Sequence, residues 1–178
     1  MTDNNTNQDN KTLIDSGLEI LHYPAPVLKK KSEPVEKFDD ELAKFVKDLY
    51  SAMRAHDGVG LAAPQVGVLK KIAVVEYDDK SYVLINPQVI EKRGIQEGEE
   101  GCLSFPGIYA NVTRPEWVKI EAQDEYGNMH VIEGEGYTAR AFLHEMDHLE
   151  GKLFIDYLSN LKRNAIRKKA AKHTGGHF

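Results

Sequence analysis

Between Phe38 and Met53 the apolar residues return at steps of three and four: Phe38, Leu42, Phe45, Val46, Leu49 and Met53. That spacing lays a single apolar stripe along a helix. Asp39 and Asp40 complement the helix dipole at its start, and Gly58 and Gly60 are expected to end it. Further on the period shortens to two. Val118, Ile120 and Ala122 alternate with Lys119, Glu121 and Gln123, the pattern of a strand with one face in water. Other β-like runs cover 72–77, 82–89 and 129–133, and the polar segment Asp124-Glu-Tyr-Gly-Asn128 reads as a hairpin turn. A second helix is expected over 138–150, with Thr138 as N-cap and Gly151 as its stop. A third, basic and weakly amphipathic, covers roughly 159–172, with Leu158, Leu161 and Ala165 expected to anchor its start against the domain. Helices packed on mainly antiparallel strands make the fold α+β. Residues 1–16 hold too few apolar side chains to offset the entropy of ordering, so they read as a flexible arm. No repeat or linker marks a second domain.

Composition narrows the class. A chain of 178 residues fits one domain and can bury a sizeable core. With 41% apolar and 29% charged residues it matches an ordinary globular protein. No apolar run approaches the ~18–20 residues of a membrane span. The first ten residues are polar, with neither a basic start nor an apolar stretch, which argues against a secretory or organelle leader. A cytoplasmic setting with no membrane partner is the expectation. Net charge is −5, yet 157–178 contains no acid and six cations: Lys162, Arg163, Arg167, Lys168, Lys169 and Lys172. Only that end is suited to a polyanion.

Candidate chemistry centres on His144-Glu145-Met146-Asp147-His148. Two histidines four apart on a helix project from one face and can reach one metal ion. Glu145 beside the first of them is placed to act on water there. A catalytic zinc site takes three protein ligands and keeps one position open. Downstream, Glu150, Asp156, His173 and His177 could supply the third. Upstream stands Cys102, the lone cysteine, in Glu100-Gly101-Cys102-Leu103-Ser104. A single cysteine rules out an intrachain disulfide but is equally compatible with a buried apolar role, a nucleophile or a ligand. A zincin-type endopeptidase would use a downstream ligand. A structural zinc site would need four ligands, often several cysteines. The segment Gly58-Val59-Gly60-Leu61-Ala62-Ala63-Pro64-Gln65 lacks the ending of a phosphate-binding loop. Of the remaining candidates, Trp117 reads as a strand residue in or beside the core. His22, His56 and His130 read as surface or structural, and Asp147 as the partner of a cation such as Arg114.

Taken in order, Gly58 to Gln65, Glu100 to Ser104 and His144 to His148 resemble the three marks of peptide deformylases. The resemblance extends through His22-Tyr-Pro24, Leu84-Ile-Asn-Pro87 and Gly151-Lys-Leu-Phe-Ile-Asp156, over roughly residues 18–160. It implies a deformylase fold built around the metal-binding helix, with residues 17–158 as the catalytic domain and 159–178 as an appended basic helix and tail. It implies hydrolysis of the formyl group from the formyl-methionine that starts new proteins. The implied ligands are Cys102, His144 and His148, holding Fe2+, with Zn2+ or Ni2+ able to take the same site. Glu145 would be the general base, and the Gln65 amide and Leu103 N–H would stabilise the oxyanion. Tyr137, Arg140 and Ala141, seven, four and three residues before His144 on the same helix face, are then with Val59 candidates for the methionine pocket, Arg140 at its rim. Gly60 and Gly101 are candidates for contact with the peptide backbone. Formylated nascent chains are the implied substrate, and the basic helix the implied contact with the ribosome.

Overall fold

The computed structural model describes residues 17–174; the expected arm at 1–16 and the tail at 175–178 lie outside the described residues. Seven strands follow in chain order: β1 Gly60–Ala62, β2 Ile72–Tyr77, β3 Lys80–Arg93, β4 Gln96–Cys102, β5 Phe105–Arg114, β6 Trp117–Gln123 and β7 Met129–Glu135. Three helices join them: α1 Asp40–Ala55, α2 Tyr137–Leu149 and α3 Asn160–Thr174. The strands make a five-stranded sheet in the order β1-β2-β3-β6-β7 and a separate β4-β5 pair, all antiparallel.

Alternation along β2 explains how the helices sit. Ile72 and Val74 face one side of the sheet and join Leu42, Val46, Leu49 and Met53 of α1. Ala73 and Val75 face the other side, where Val118, Ile120, Ala139, Phe142 and Leu149 gather around α2. The sheet is therefore buried between two helices, as the period-two rule requires of a strand that is apolar on both faces. A third cluster joins β5 to the C-terminal segment through Phe105, Ile108, Val112, Phe154 and Leu158.

Capping sets the helix limits. The Asp39 carboxylate accepts from the Leu42 N–H at 3.0 Å, so α1 begins one residue after it. The start of α2 departs from expectation: Thr138 lies inside the helix, and the residue before the first turn is Gly136 with φ of 60°. No side chain caps this end. The left-handed conformation favours glycine there, and the Gly136 N–H is held instead by Glu116 O at 2.8 Å. Trp117 opens β6, partly buried, with the Arg93 guanidinium 4.2 Å from its ring centroid.

Two features escape the periodicity. In the β4-β5 pair, β4 reads Gln-Glu-Gly-Glu-Glu-Gly-Cys, and the side chain it buries most deeply is the charged Glu100. Hydrophobic alternation cannot detect a strand whose inward residue is a carboxylate. The anchoring of α3 also differs from its helical-wheel reading. Leu158 is buried as expected, but Leu161 is 82% exposed and Ala165 lies in solvent. Among the described side chains of the helix, the buried ones are Ile166 and Ala170, four apart and packed on the third cluster.

Candidate metal centre

Helix α2 carries both histidines of the motif on its buried face. Their Nε2 atoms lie 3.3 Å apart, and Cys102 Sγ lies 3.4 Å from His148 Nε2. One donor atom from each of Cys102, His144 and His148 falls within 4.8 Å of the others, the one such group among the described residues. Nitrogen and sulfur ligands around a tetrahedral ion of ordinary bond lengths stand roughly 3.3–3.6 Å apart. The His144–His148 and Cys102–His148 spacings, and the chemistry of all three donors, therefore fit a single ion. The downstream candidates do not approach it: Glu150 pairs with Lys31 and Lys71, and Asp156 with Lys29. The side chain of His173 and the whole of His177 lie outside the described residues.

Cys102 reaches the helix because β4 ends beside it, and the same strand presents Glu100 two residues earlier on the same face. Glu100 Oε1 accepts from His144 Nδ1 at 2.8 Å. This bond fixes the imidazole tautomer and turns Nε2 toward Cys102 and His148. Arg114 grips both Glu100 oxygens at 2.8 Å, and Arg140 Nη1 reaches Oε2 at 2.6 Å. Burial opposes ionisation of Glu100, but Arg114 and His144 hold its pKa down at about 2. Both histidines resist charge through burial; Cys102 and Glu100 nevertheless push His144 upward, while His148 stays well below its usual value.

Glu145 has the opposite surroundings. It is 3% exposed and its Oε1 has no hydrogen-bond partner. Burial, with the Glu100 charge adding to it, pushes its pKa up to about 7, against the pull of His144. The carboxylate lies so close to β1 that a Cβ on Gly60 would overlap it, so any side chain at that position must displace Glu145. A carboxyl poised near neutral pH can both take and give a proton.

Gln65 closes the other side. Its Oε1 accepts from the Ala62 N–H at 2.9 Å, which directs Nε2 toward Cys102 Sγ at 3.4 Å and Ser104 Oγ at 3.1 Å. Cys102, His144, Glu145 and Gln65 line a cleft of about 680 Å³. Val59, Gly60, Gly101, Leu103, Tyr137, Arg140 and Ala141 all border it. Tyr137 packs on Tyr77 with ring centroids 4.8 Å apart, and Gly101 lies under the Tyr109 ring. Arg140 is placed differently from the rim position that its helical spacing allowed. It is 3% exposed, and its guanidinium is turned to Glu100 and Val112 O beneath the cleft. His22 and His56 border the cleft as well, His56 with its ring bonded to Ala52 O at 2.9 Å. Asp147 meets Arg114 at 2.7 Å, the pairing expected of it. Glu100 was not among the expected site residues, and its place two before Cys102 is the one signal that the sequence offers for it.

The polypeptide deformylase family model matches residues 17–164. Peptide deformylase 1 of Bacillus cereus is 51% identical over 139 residues, covering 77% of this chain and 89% of its own. The peptide deformylase of Tolumonas auensis is 46% identical over 158 residues, covering 87% and 95%. Among solved structures, the Legionella pneumophila peptide deformylase superposes with a TM-score of 0.85 at 42% identity, over 88% of this chain and 95% of that one. The Synechococcus elongatus enzyme, solved in complex with actinonin, gives 0.82 at 38%, over 86% of each. A match of that extent, on a chain whose cysteine and two histidines converge beside a buried glutamate, places it in the peptide deformylase family, metal-dependent hydrolases that deformylate N-formyl-methionine.

Proposed function

We propose that Cys102, His144 and His148 hold Fe2+ and that Glu145, Gln65 and Leu103 carry the hydrolysis of N-terminal formyl-methionine. The observation that carries this reading is the convergence of the three donors within 4.8 Å beside the buried Glu145. A bound ion supplies Lewis acidity, acidifying water and polarising the formyl carbonyl. Glu145 accepts the proton as the water oxygen bonds to the formyl carbon. The Gln65 Nε2 donor and the Leu103 N–H stabilise the charge that builds on the formyl oxygen. Glu145 then gives the proton to the departing nitrogen as the C–N bond breaks, leaving formate and a free amino terminus.

For recognition, β1 offers an edge beside the cleft, paired on its other side with β2. A substrate backbone adding there as a strand would be held without regard to later side chains. Val59, Tyr137, Ala141 and the stem of Arg140 surround the methionine side chain, while Gly60 and Gly101 leave room for the backbone. Formate release from a formyl-Met peptide, set against the acetyl-Met peptide, tests the activity. Comparable rates would sink it, because the added methyl has to fit where Gln65 and Leu103 close on the carbonyl. Iron analysis of protein purified without oxygen tests the metal; recovery of zinc alone would refute Fe2+.

The same reading places the enzyme in the cytoplasm, with residues 17–158 as the catalytic unit and α3 as a ribosome contact. Among the described residues no helix is long and apolar enough to cross a membrane. Lys168, Lys169 and Lys172 of α3 are exposed, while Ile166 and Ala170 hold the helix to the domain. Changing the three lysines to glutamate should abolish low-salt co-sedimentation with ribosomes while short-peptide turnover is unaltered. Undiminished co-sedimentation would exclude this helix as the contact.

A further inference from the structure

The two elements that bring the ligands together are joined by a closed ring of polar groups, buried at Glu100, Arg114 and His144 and half-buried at Asp147. Glu100 bonds His144 Nδ1, Arg114 bonds Glu100 through Nε and Nη2, and Arg114 Nη1 bonds Asp147 Oδ2 at 2.7 Å. Asp147 is three residues after His144 on α2, so the ring returns to the helix turn from which it began. Tyr157 closes the outer side: its hydroxyl donates to Asp147 Oδ2 at 2.8 Å, and the Arg114 guanidinium stands 4.7 Å from its ring centroid. Arg114 is 4% exposed and sits on β5, outside the cleft lining.

We propose that Arg114 is a positioning residue that locks the cysteine-bearing strand to the histidine-bearing helix and so controls how long the metal stays bound. An ion held by one thiolate from β4 and two imidazoles from α2 escapes when the elements part or when His144 turns. Arg114 opposes both motions, because its fork engages the carboxylate that aims His144 and the carboxylate one turn further along. A lysine keeps the charge but cannot make three directed bonds from one planar group. The inference rests on Cys102, His144 and His148 being the ligands.

The test follows metal release from the full-length protein loaded with Co2+, using transfer to excess chelator and the sulfur-to-cobalt absorption band. Arg114→Lys and Asp147→Asn should release the ion at least tenfold faster, the lower end of the ~10–100-fold usual for groups that orient ligands. Tyr157→Phe should release it a few-fold faster, and the Arg114→Lys band should be shifted or weakened. Val74→Ala, a cavity variant in the first core cluster, controls for lost stability. If Arg114→Lys and Asp147→Asn release cobalt no faster than Val74→Ala, the positioning role is overturned. Should Arg114→Lys not fold, Asp147→Asn decides the matter by the same criterion. Cys102→Ser separates the two levels. Its keeping the ion would overturn the ligand set and the proposal with it; its losing the ion while the ring variants release normally overturns the positioning role alone.

Discussion

Two buried glutamates, Glu145 on α2 and Glu100 on β4, are treated in opposite ways. Glu100 lies on the floor of the site, where two arginines and a histidine occupy both its oxygens and keep it ionised. Glu145 faces the cleft with Oε1 unpartnered, and burial draws it toward neutral pH. On the proposed mechanism, the difference separates the carboxylate that is scaffold from the one that is reagent. A fully bonded carboxylate has no free lone pair for a proton in transit and must stay charged to hold its neighbours. A carboxylate left open, in low dielectric, is free to take a proton and return it.

The sharpest way to break that contrast is Glu100→Gln. It should cost about 3–5 kcal/mol of folding stability, as expected when one partner of a buried charge cluster is removed and Arg114 and Arg140 are left facing one another. Urea unfolding measures it; a loss under 1 kcal/mol would show that Glu100 holds little. Glu145→Gln should reverse the profile. Turnover of a formyl-Met peptide should fall at least ~10²-fold, about 2.7 kcal/mol in the barrier, with bound metal unchanged by elemental analysis. Parallel loss of metal would mean that Glu145 is itself a ligand. Gly60→Ala approaches the same carboxylate from β1. Its methyl must displace Glu145, so turnover should fall by about tenfold while bound metal is again retained. A third carboxylate, Glu76, marks the bottom of the scale. It pairs with Arg54 on the surface and is partly exposed, so Glu76→Gln should change stability by only ~0.2–1 kcal/mol, and less at high salt.

How much of this was legible beforehand depended on whether a residue's role is local. The spacing of His144 and His148, the stripe of α1 and the alternation of β6 are each stated within one segment, and each has its counterpart in the structure. Cys102 was legible as one candidate among several, and only the resemblance singled it out. What escaped depends on encounters between segments. Nothing within Gln96–Cys102 announces a strand, because its buried residue is charged and its partners stand 14 and more residues away. Arg140 shares a helix face with His144, which spacing revealed. Spacing could not reveal that Glu100 would arrive above that face and turn the guanidinium away from the rim. The anchoring of α3 was misplaced for the same reason: the helical wheel ranks Leu161 above Ala170, but the third core cluster meets the helix at Ile166 and Ala170.

The division of the ligands between a hairpin and a later helix also has a consequence in time. Cys102 precedes His148 by 46 residues. At roughly 5–20 residues per second of synthesis, its thiol leaves the ribosome about 2–9 s before the second imidazole exists to share an ion with it. For that interval the Cys102 thiol has neither of the imidazole neighbours that the folded chain gives it. On the proposed ligand set, an ion can be held by all three donors only once synthesis has passed His148.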